Sequence, residues 1–460
     1  MLPYVEKKDF YRRLVFIAIP IIIQNFILSL LNAVDVIMVG QLGTIPIAGV
    51  GLSNQIFFLL TFFVFGINSS ASIFCSQYWG KKDLNSVNKI FKLSFLASFA
   101  FGFVFFIVSF MIPDFILRLY TNDKEVINTG MGYLRIVSIS YLFTVITSNL
   151  VSILRSMEIV KSGMIVSIIS LFINTGLNYI FIFGKFGFPA LGVYGAGLAT
   201  VIARSIELIL LISLILIRKY PLKLNIKQIF IIDKELAKNF FKIALPVILS
   251  EIVWSVGITV YNAIYARIGT EQIAAINMVS TIESLGFVLF IGISSAGGIL
   301  IGKKIGENKN DIAFKLSKRV LLIGMFGAIL TGFFVFLFRD FIFSFYKVSP
   351  DTLIYAEKIL IVLCCVLWLK VSNMILFVAI IRSGGDTKFE FITISASMWL
   401  IGVPLAAIGG LIFKLPIHYV IILVMGEEIF KFVFCFLRFI SKKWINNLAV
   451  DKIPESLNEA

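Results

Sequence analysis

The sequence predicts an all-α integral membrane protein with twelve transmembrane helices, and three observations support this. Hydrophobic residues make up 59% of the 460-residue chain and charged residues only 15%, against roughly 45–50% and about 25% in soluble proteins. The mean hydropathy is +0.98. The apolar residues form long continuous runs, not the alternating segments of a transmembrane β-barrel, so the spans are helices.

The chain length fits this number of spans, because a helical span takes roughly 20 to 25 apolar residues and twelve leave about 14 for each connection. No soluble domain of ordinary size fits between them. The apolar blocks form two sets of six, at 14–40, 47–74, 90–112, 131–154, 163–183 and 193–217, and then at 240–266, 273–301, 320–338, 353–381, 389–413 and 417–437.

Positive charge sets the predicted orientation. An even number of spans places both tails on one side, and that side holds most of the 41 Lys and Arg residues. The positive-inside rule therefore predicts cytoplasmic termini and a plasma-membrane location. Because the net charge of +15 follows from this topology, we expect the lipid bilayer as the partner of the basic surface, and neither a nucleic acid nor an obligate protein partner.

The chain also repeats itself at a spacing of 226 residues. The matching positions are Pro20 and Pro246, Gly43-Thr44 and Gly269-Thr270, Gly66-Ile67 and Gly292-Ile293, Gly80 and Gly306, Asp114-Phe115 and Asp340-Phe341 and, after a one-residue slip, Arg155-Ser156 and Arg382-Ser383. This period predicts two pseudo-symmetric six-helix bundles, a parallel repeat around a central cavity. The two prolines lie inside apolar blocks, so we expect helix kinks at Pro20 and Pro246.

The predicted domains follow from these blocks. They are a cytoplasmic N-terminal tail (1–13), an N-lobe with helices one to six (14–217), a basic cytoplasmic linker (218–239), a C-lobe with helices seven to twelve (240–437) and a cytoplasmic C-terminal tail (438–460). The linker is basic and partly amphipathic, which is typical of a segment on the inner membrane surface.

Several classes of chemistry are not expected. The chain has one histidine, His418, and its four cysteines lack metal-ligand spacing, so neither a metal centre nor a His-based enzyme is predicted. No GxxxxGK[ST] motif occurs, so ATP is not the expected energy source. We therefore predict a protein that is not an enzyme and has no cofactor.

Four segments resemble one family of transporters. They are PIIIQNFILSLLNAVDVIMVGQLGTIPIAGVG from Pro20, ALPVILSEIVWSVGITVYNAIYARIGTEQIAA from Ala244, RSGGDTK at 382–388, and EEIFKFVFCFLRFISKKWINNL from Glu427. In register within the repeat, they resemble the MATE (multidrug and toxic compound extrusion) transporters of prokaryotic type over about 14–445. The resemblance implies export of organic, often cationic, compounds by alternating access, coupled to H+ or Na+ as the only ion required.

Ionisable residues inside spans are candidates for function, because burying them in a membrane is costly. Asp35 lies roughly 31 Å along the first helix from its inner end, and Thr200 lies roughly 10 Å into the sixth helix from outside. Asn174 and Asn178 share one face of the fifth helix. One carboxylate with amide and hydroxyl oxygens suits a proton or a sodium ion, so Na+ remains possible at Asp35.

The resemblance implies the same cation-coupling site, because the family's polar residues fall on Asp35, Asn174, Asn178 and Thr200. Some members carry an aspartate where this chain has Asn178, so the coupling ion stays open. The alternative interpretation is that Asp35 only caps the first helix near the outer interface.

The C-lobe carries a different set. Glu251, Glu283 and Lys370 all fall near mid-bilayer, and we predict a substrate site or a second coupling site there. The alternative is a structural ion pair of Lys370 with one glutamate. Two further groups of charged residues are spaced three or four positions apart on one helix, so we expect them to form ion pairs. They are Arg204 with Glu207, and Lys431 with Glu427 or Glu428.

The predicted function is therefore a cation-coupled antiporter whose partners are small organic cations. The alternative is a flippase for lipid-linked oligosaccharides, a class with a related repeat in the wider superfamily. Its pyrophosphate cargo needs arginine and lysine in the cavity, whereas the clear mid-span charges here include three or more acids. The sequence contains no motif that is typical of an intramembrane enzyme.

Overall fold

Every regular element of the described chain is a helix. A computed structural model describes residues 4–223, 233–346 and 348–449. The start of the N-terminal tail, the middle of the basic linker (224–232) and the C-terminal tail from 450 onward lie outside the described residues. The expectation that the linker lies on the inner membrane surface falls mainly on that part.

The first half of the chain forms eight helices. They are α1 (Tyr4–Gly40), α2 (Thr44–Lys81), α3 (Leu84–Met111), α4 (Pro113–Arg118), α5 (Lys124–Val137), α6 (Ile139–Ser156), α7 (Lys161–Phe183) and α8 (Val193–Ile217). Local chemistry explains several boundaries. Asp83 caps α3 by accepting from the Ser86 amide, and Asp123 caps α5 in the same way. The helix α7 ends at Gly184, whose φ of 66° is the left-handed conformation that glycine adopts without strain.

The second half repeats this pattern with more distorted helices. They are α9 (Lys234–Ile268), α10 (Thr270–Gly306), α11 (Asn310–Leu337), α12 (Arg339–Phe343), α13 (Pro350–Met374), α14 (Thr387–Ala396), α15 (Val403–Ala407) and α16 (Ile417–Ile440). Three π-helical segments continue them: Ile375–Ile381 follows α13, Ser397–Gly402 joins α14 to α15, and Ile408–Ile412 follows α15.

Twelve spans result from these elements, as the sequence predicts. Eleven stretches of the described chain are long and apolar enough to cross a membrane. The twelfth span is α16, which is long enough to cross a membrane and carries three charged residues, Glu427, Glu428 and Lys431, in its middle. Pro20 and Pro246 both lie inside continuous helices, α1 and α9.

Helix boundaries confirm the internal repeat. The starts of α2 and α10, at Thr44 and Thr270, are 226 positions apart, and so are those of α3 and α11, at Leu84 and Asn310. The one-residue slip at Arg382 also has a physical origin. A π-helical turn accommodates one extra residue, and Ile375–Ile381 stands immediately before Arg382.

Internal packing divides the chain into two compact units. Unit N consists of Ile19–Cys75 and Asp83–Ala244, and unit C consists of Met1–Ala18, Ser76–Lys82 and Leu245–Ala460. Most of α2 thus belongs to unit N, whereas its last six residues belong to unit C. The lobe boundaries inferred from the sequence stay a prediction.

Close packing in unit N leads to a first testable prediction, at the contact of α7 with α8. A Cβ added to Gly195 would lie 2.5 Å from the Phe181 carbonyl oxygen and 2.6 Å from its carbon. Because backbone cannot yield as a flexible side chain does, we expect Gly195→Ala to lower the free energy of unfolding by about 1–3 kcal/mol. Thermal unfolding of the purified protein in detergent measures this.

A matched control lies on α7. A Cβ at Gly176 would meet nothing within 4 Å, so Gly176→Ala should raise stability by about 0.5–1 kcal/mol through its better helix propensity. Equal effects of the two substitutions would contradict the close backbone approach at Gly195.

Candidate functional site

Three of the four predicted coupling residues meet in unit N. The Asn178 side-chain amide donates to Asp35 Oδ1 at 2.5 Å and to Asn174 Oδ1 at 3.1 Å. Asn174 and Asn178 are fully buried on one face of α7, and Asp35 on α1 is half-buried beside them. The i, i+4 spacing on α7 therefore does what the sequence indicates, since it presents both amides on the side that faces Asp35.

The fourth predicted residue, Thr200, makes no hydrogen bond to the other three in the described structure and bonds within its own helix. Its hydroxyl donates to the Ala196 carbonyl of its own helix at 3.0 Å. One turn further along α8 lies Arg204, which acts electrostatically on Asp35. Sequence reasoning missed this neighbour, although the i, i+4 spacing of Thr200 and Arg204 on one helix face was a signal that could have found it.

Arg204 is held by the predicted intrahelical ion pair. Its Nη1 lies 2.7 Å from Glu207 Oε2, and both side chains are largely buried. The Glu207 carboxylate also accepts from Ser167 at 3.3 Å and from Ser170 at 3.4 Å. The pairing prediction is confirmed. The cation beside Asp35 is thus held by Glu207 and partly neutralised by it.

The C-lobe candidates do not form one cluster. Glu251 on α9 lies 3.0 Å from Arg382 Nη2. The same guanidinium forms a bidentate pair with Glu390 on α14, with Nε at 3.0 and 3.1 Å from the two carboxylate oxygens. Arg382 is 3% exposed and Glu390 is completely buried. Two carboxylates therefore share one buried base, which leaves an excess negative charge when all three groups are ionised.

Glu283 and Lys370 pair with each other. The Lys370 Nζ on α13 contacts Glu283 Oε1 on α10, and both side chains are partly exposed. This is the ion pair that the sequence left as the structural alternative for Lys370. Each charge cancels the other, so this pair alone gives no net attraction for a cation.

A third group surrounds Lys431 on α16. Its Nζ lies 2.5 Å from Glu427 and 3.0 Å from Glu428, as the helical spacing predicts. The Tyr261 hydroxyl on α9 donates to Glu427, and the Asn373 amide on α13 donates to Glu428 at 2.7 Å. Again two carboxylates surround one base, so the cluster has the same acid excess as the one around Arg382.

Sequence reasoning missed Arg382, Glu390 and Tyr261 as site residues. Arg382 directly follows the apolar block 353–381, and Glu390 lies just inside the block 389–413. A charge inside an apolar block was a usable signal for Glu390. Tyr261 gave none, because a tyrosine in a span is ordinary. It is the repeat partner of Asp35, 226 positions away.

Twelve spans in two repeated halves, with charged side chains buried between helices, define a multi-pass membrane transporter. A family model described as MatE matches residues 20–180 and 246–408. The chain belongs to this family, which consists of transporters and not enzymes, so the resemblance to MATE proteins is confirmed.

Individual proteins agree with this assignment. The chain is 27% identical over 428 residues, or 93% of either chain, to the uncharacterized transporter YisQ of Bacillus subtilis (strain 168). It is 25% identical over 410 residues to multidrug resistance protein MdtK of Yersinia enterocolitica, with 87% of this chain and 88% of that one covered. A solved structure described as an outward-facing multidrug resistance MATE family transporter of the MOP superfamily has the same fold, with a TM-score of 0.84, 20% identity, and 94% of this chain and 96% of that one covered.

Proposed function

We propose that this protein is a cation-coupled antiporter that exports organic cations by alternating access, and that Asp35 binds the coupling ion. The observation that carries this is the contact of Asp35 with the buried amides of Asn178 and Asn174. Burying a carboxylate between spanning helices costs free energy, so its presence there indicates a function. The multidrug resistance described for relatives such as MdtK supports the direction and the kind of cargo.

The orientation of the Asn178 amide favours a proton as the ion. Its nitrogen lies between Asp35 and Asn174 and donates to both, so an N–H group occupies the place where a metal ion would need oxygen ligands. The Asn178 oxygen is buried and has no hydrogen-bond partner among the described residues. When Asp35 takes up a proton it becomes a donor, and a rotated Asn178 amide can accept from it with this oxygen.

Charge in unit C supports a cationic cargo. The three ion-pair groups described above hold five acids against three bases, at Glu251, Glu283, Glu390, Glu427 and Glu428 and at Lys370, Arg382 and Lys431. The excess of two acids attracts cations. The bases that a pyrophosphate cargo requires are instead occupied by carboxylates, and Arg204 of unit N is paired as well. This argues against the lipid-linked oligosaccharide flippase.

The same proposal includes the location. The relatives named above are bacterial, and the excess of Lys and Arg on the side of the tails favours a plasma-membrane protein with both termini in the cytoplasm.

Efflux from proteoliposomes tests the function. We expect ethidium loaded into vesicles with the purified chain to leave when a proton gradient is imposed, and to stay when only a sodium gradient is imposed. Efflux driven by sodium alone would overturn the choice of ion. Absence of efflux under both gradients, for ethidium and for a second cationic dye, would overturn antiport of organic cations.

The ion pair in unit C leads to a prediction about cargo affinity. Lys370→Met removes the base that neutralises Glu283, so we expect ethidium to bind roughly tenfold more tightly through the freed carboxylate. Fluorescence anisotropy of ethidium on purified protein measures this. The double substitution Lys370→Met with Glu283→Gln should return the affinity to its original value. An equal gain in the double variant would show that the lysine acted sterically.

A further inference from the structure

An open cavity of about 620 Å³ lies at the C-terminal ends of α2 and α10. Its volume falls within the range of about 300–1,000 Å³ that small-molecule sites occupy. The lining belongs entirely to unit C. It consists of two short stretches of chain, with Gly80, Lys81 and Lys82 on one side and Lys304, Gly306, Glu307, Asn308 and Lys309 on the other.

Backbone contact holds the two lining stretches together. A Cβ added to Gly80 would clash with the Lys303 carbonyl oxygen, and one added to Gly306 would clash with the Gln77 carbonyl oxygen. Gly80 and Gly306 are repeat partners, 226 positions apart. The two glycines therefore allow the helix ends to meet, and this contact fixes the distance between the charged residues that follow them.

The cavity is strongly basic. Four lysines and one glutamate line it, so the lining alone carries a net charge of +3 when all five groups are ionised. The acid is Glu307, whose Oε2 lies 2.7 Å from Lys304 Nζ and 3.0 Å from Lys309 Nζ. One carboxylate is thus shared by two lysines and cannot neutralise the cavity.

Lys82 adds a positive charge that no acid balances. Its side chain is exposed, and no acid pairs with it among the residues that the structure describes. It follows directly on α2 with a φ of 63°, and its repeat partner Asn308 follows α10 with a φ of 57°. The chain therefore turns in the same way on both sides of the cavity.

The repeat shows that a base replaces an acid at this cavity. The partner of Lys309 is Asp83, which caps α3 by accepting from the Ser86 amide at 3.0 Å. Lys309 stands at the same position before α11, and its side chain forms no cap, because an ammonium group has no acceptor. The second half thus gives up a stabilising cap and gains a positive charge at the cavity, which favours a functional reason for the lysine.

Membrane topology alone does not explain this arrangement. The positive-inside rule favours lysines anywhere on one side of the membrane, and helix dipoles favour them near helix C-termini. Lys388 on α14 is an exposed lysine of unit C that stands outside the cavity. Neither reason gathers four lysines around one cavity or puts a lysine where a helix cap belongs.

We propose that this cavity binds a phosphate group, carried by the headgroup of an anionic phospholipid or by a soluble phosphate ester. Lysine ammonium groups bind phosphate as point charges, and basic pockets at the ends of membrane helices suit anionic headgroups. The site goes beyond the proposed function, because its ligand is an anion that is bound and not exported.

Thermal unfolding of the purified protein tests the site, since a ligand that binds only the folded chain raises its stability. One arm compares mixed micelles of phosphatidylglycerol with micelles of phosphatidylcholine of the same acyl chains. The other compares glycerol 1-phosphate with sodium chloride of equal ionic strength. We expect a higher unfolding temperature in at least one arm. Stabilisation by the lipid alone identifies a headgroup site, and stabilisation by glycerol 1-phosphate identifies a site for phosphate esters. No stabilisation in either arm would overturn the proposal.

Substitution of lining lysines locates the binding. We expect Lys82→Gln to weaken the apparent affinity about fivefold, and the double variant with Lys309→Gln to weaken it about 25-fold, because each basic residue contributes a similar amount. Both side chains are exposed, so unfolding without ligand should match the parent. Lys388→Gln is the matched control, which removes the same charge outside the cavity and should stay within about twofold. An equal loss in Lys388→Gln and Lys82→Gln would show unspecific attraction and refute the site.

A gain of affinity gives a check that misfolding cannot imitate. Glu307→Gln removes the acid that holds Lys304 and Lys309, so both ammonium groups become available to the phosphate. We expect about fivefold tighter binding in the arm that stabilises the parent. Unchanged or weaker binding in Glu307→Gln would contradict a phosphate site at these lysines.

Discussion

Asp35→Asn should reduce gradient-driven efflux of ethidium to the level of protein-free liposomes. Asparagine keeps the size of Asp35 and can still accept the hydrogen bond of Asn178, so the helix contact survives. The asparagine cannot take up a proton or a cation as the carboxylate does. Without ion binding that differs between the two conformations of the transporter, the ion gradient cannot shift their equilibrium. Binding of ethidium to the purified variant, measured by anisotropy, should stay within about twofold, which excludes misfolding as the cause.

An exchange of the two side chains separates charge from shape. Asp35→Asn combined with Asn178→Asp keeps one carboxylate and one amide in contact, moved by a single hydrogen bond. We expect this double variant to recover a measurable part of the proton-driven efflux. If Asp35 served only to cap α1, Asp35→Asn alone would keep full activity, and that result would refute the coupling site.

Arg382→Met should be the most destabilising substitution in unit C. It leaves Glu251 and the completely buried Glu390 without their shared base. Removing one partner of a buried ion pair typically costs about 3–5 kcal/mol, because a buried charge stays uncompensated. We expect thermal unfolding in detergent to shift to a lower temperature by a corresponding amount.

Two comparison variants give the measurement its meaning. Arg382→Met with Glu390→Leu replaces a buried ion pair by apolar side chains and should recover most of the loss. Arg438→Met is a matched arginine substitution at the neighbouring pair with Asp386, which is more exposed, and it should cost about 1 kcal/mol or less. A loss at Arg382 no larger than at Arg438 would show that the triad does not stabilise unit C.

The fold was largely predictable because its signals are local. A span is a run of apolar residues long enough for the bilayer, and such a run can be counted without knowing its neighbours. The repeat was readable for the same reason, since glycines and prolines at fixed backbone positions recur at a fixed spacing. The π-helical turns could not be predicted, because their only trace in the sequence is a shift of one residue in the spacing of the repeat.

The candidate sites were predictable in part. A helical offset of three or four residues fixes a pair on one helix, so Arg204 with Glu207 and Lys431 with Glu427 followed from spacing alone. Depth along a helix also follows from residue count, and it brought Asp35 to the level of Asn178. Depth does not give rotation about the helix axis, so Glu251, Glu283 and Lys370 fell at one level without meeting.

The sequence by itself therefore determined the twelve spans, the two-fold repeat, the MATE membership and the set of charged residues within the spans. Only the tertiary structure decided which charges are partners: Glu251 joins Arg382, not Lys370, and Thr200 turns to its own helix. It also brings Gln77 next to Leu448 across 371 positions of sequence. Partner choice depends on how helices rotate and pack against each other, and no local pattern along the chain encodes that.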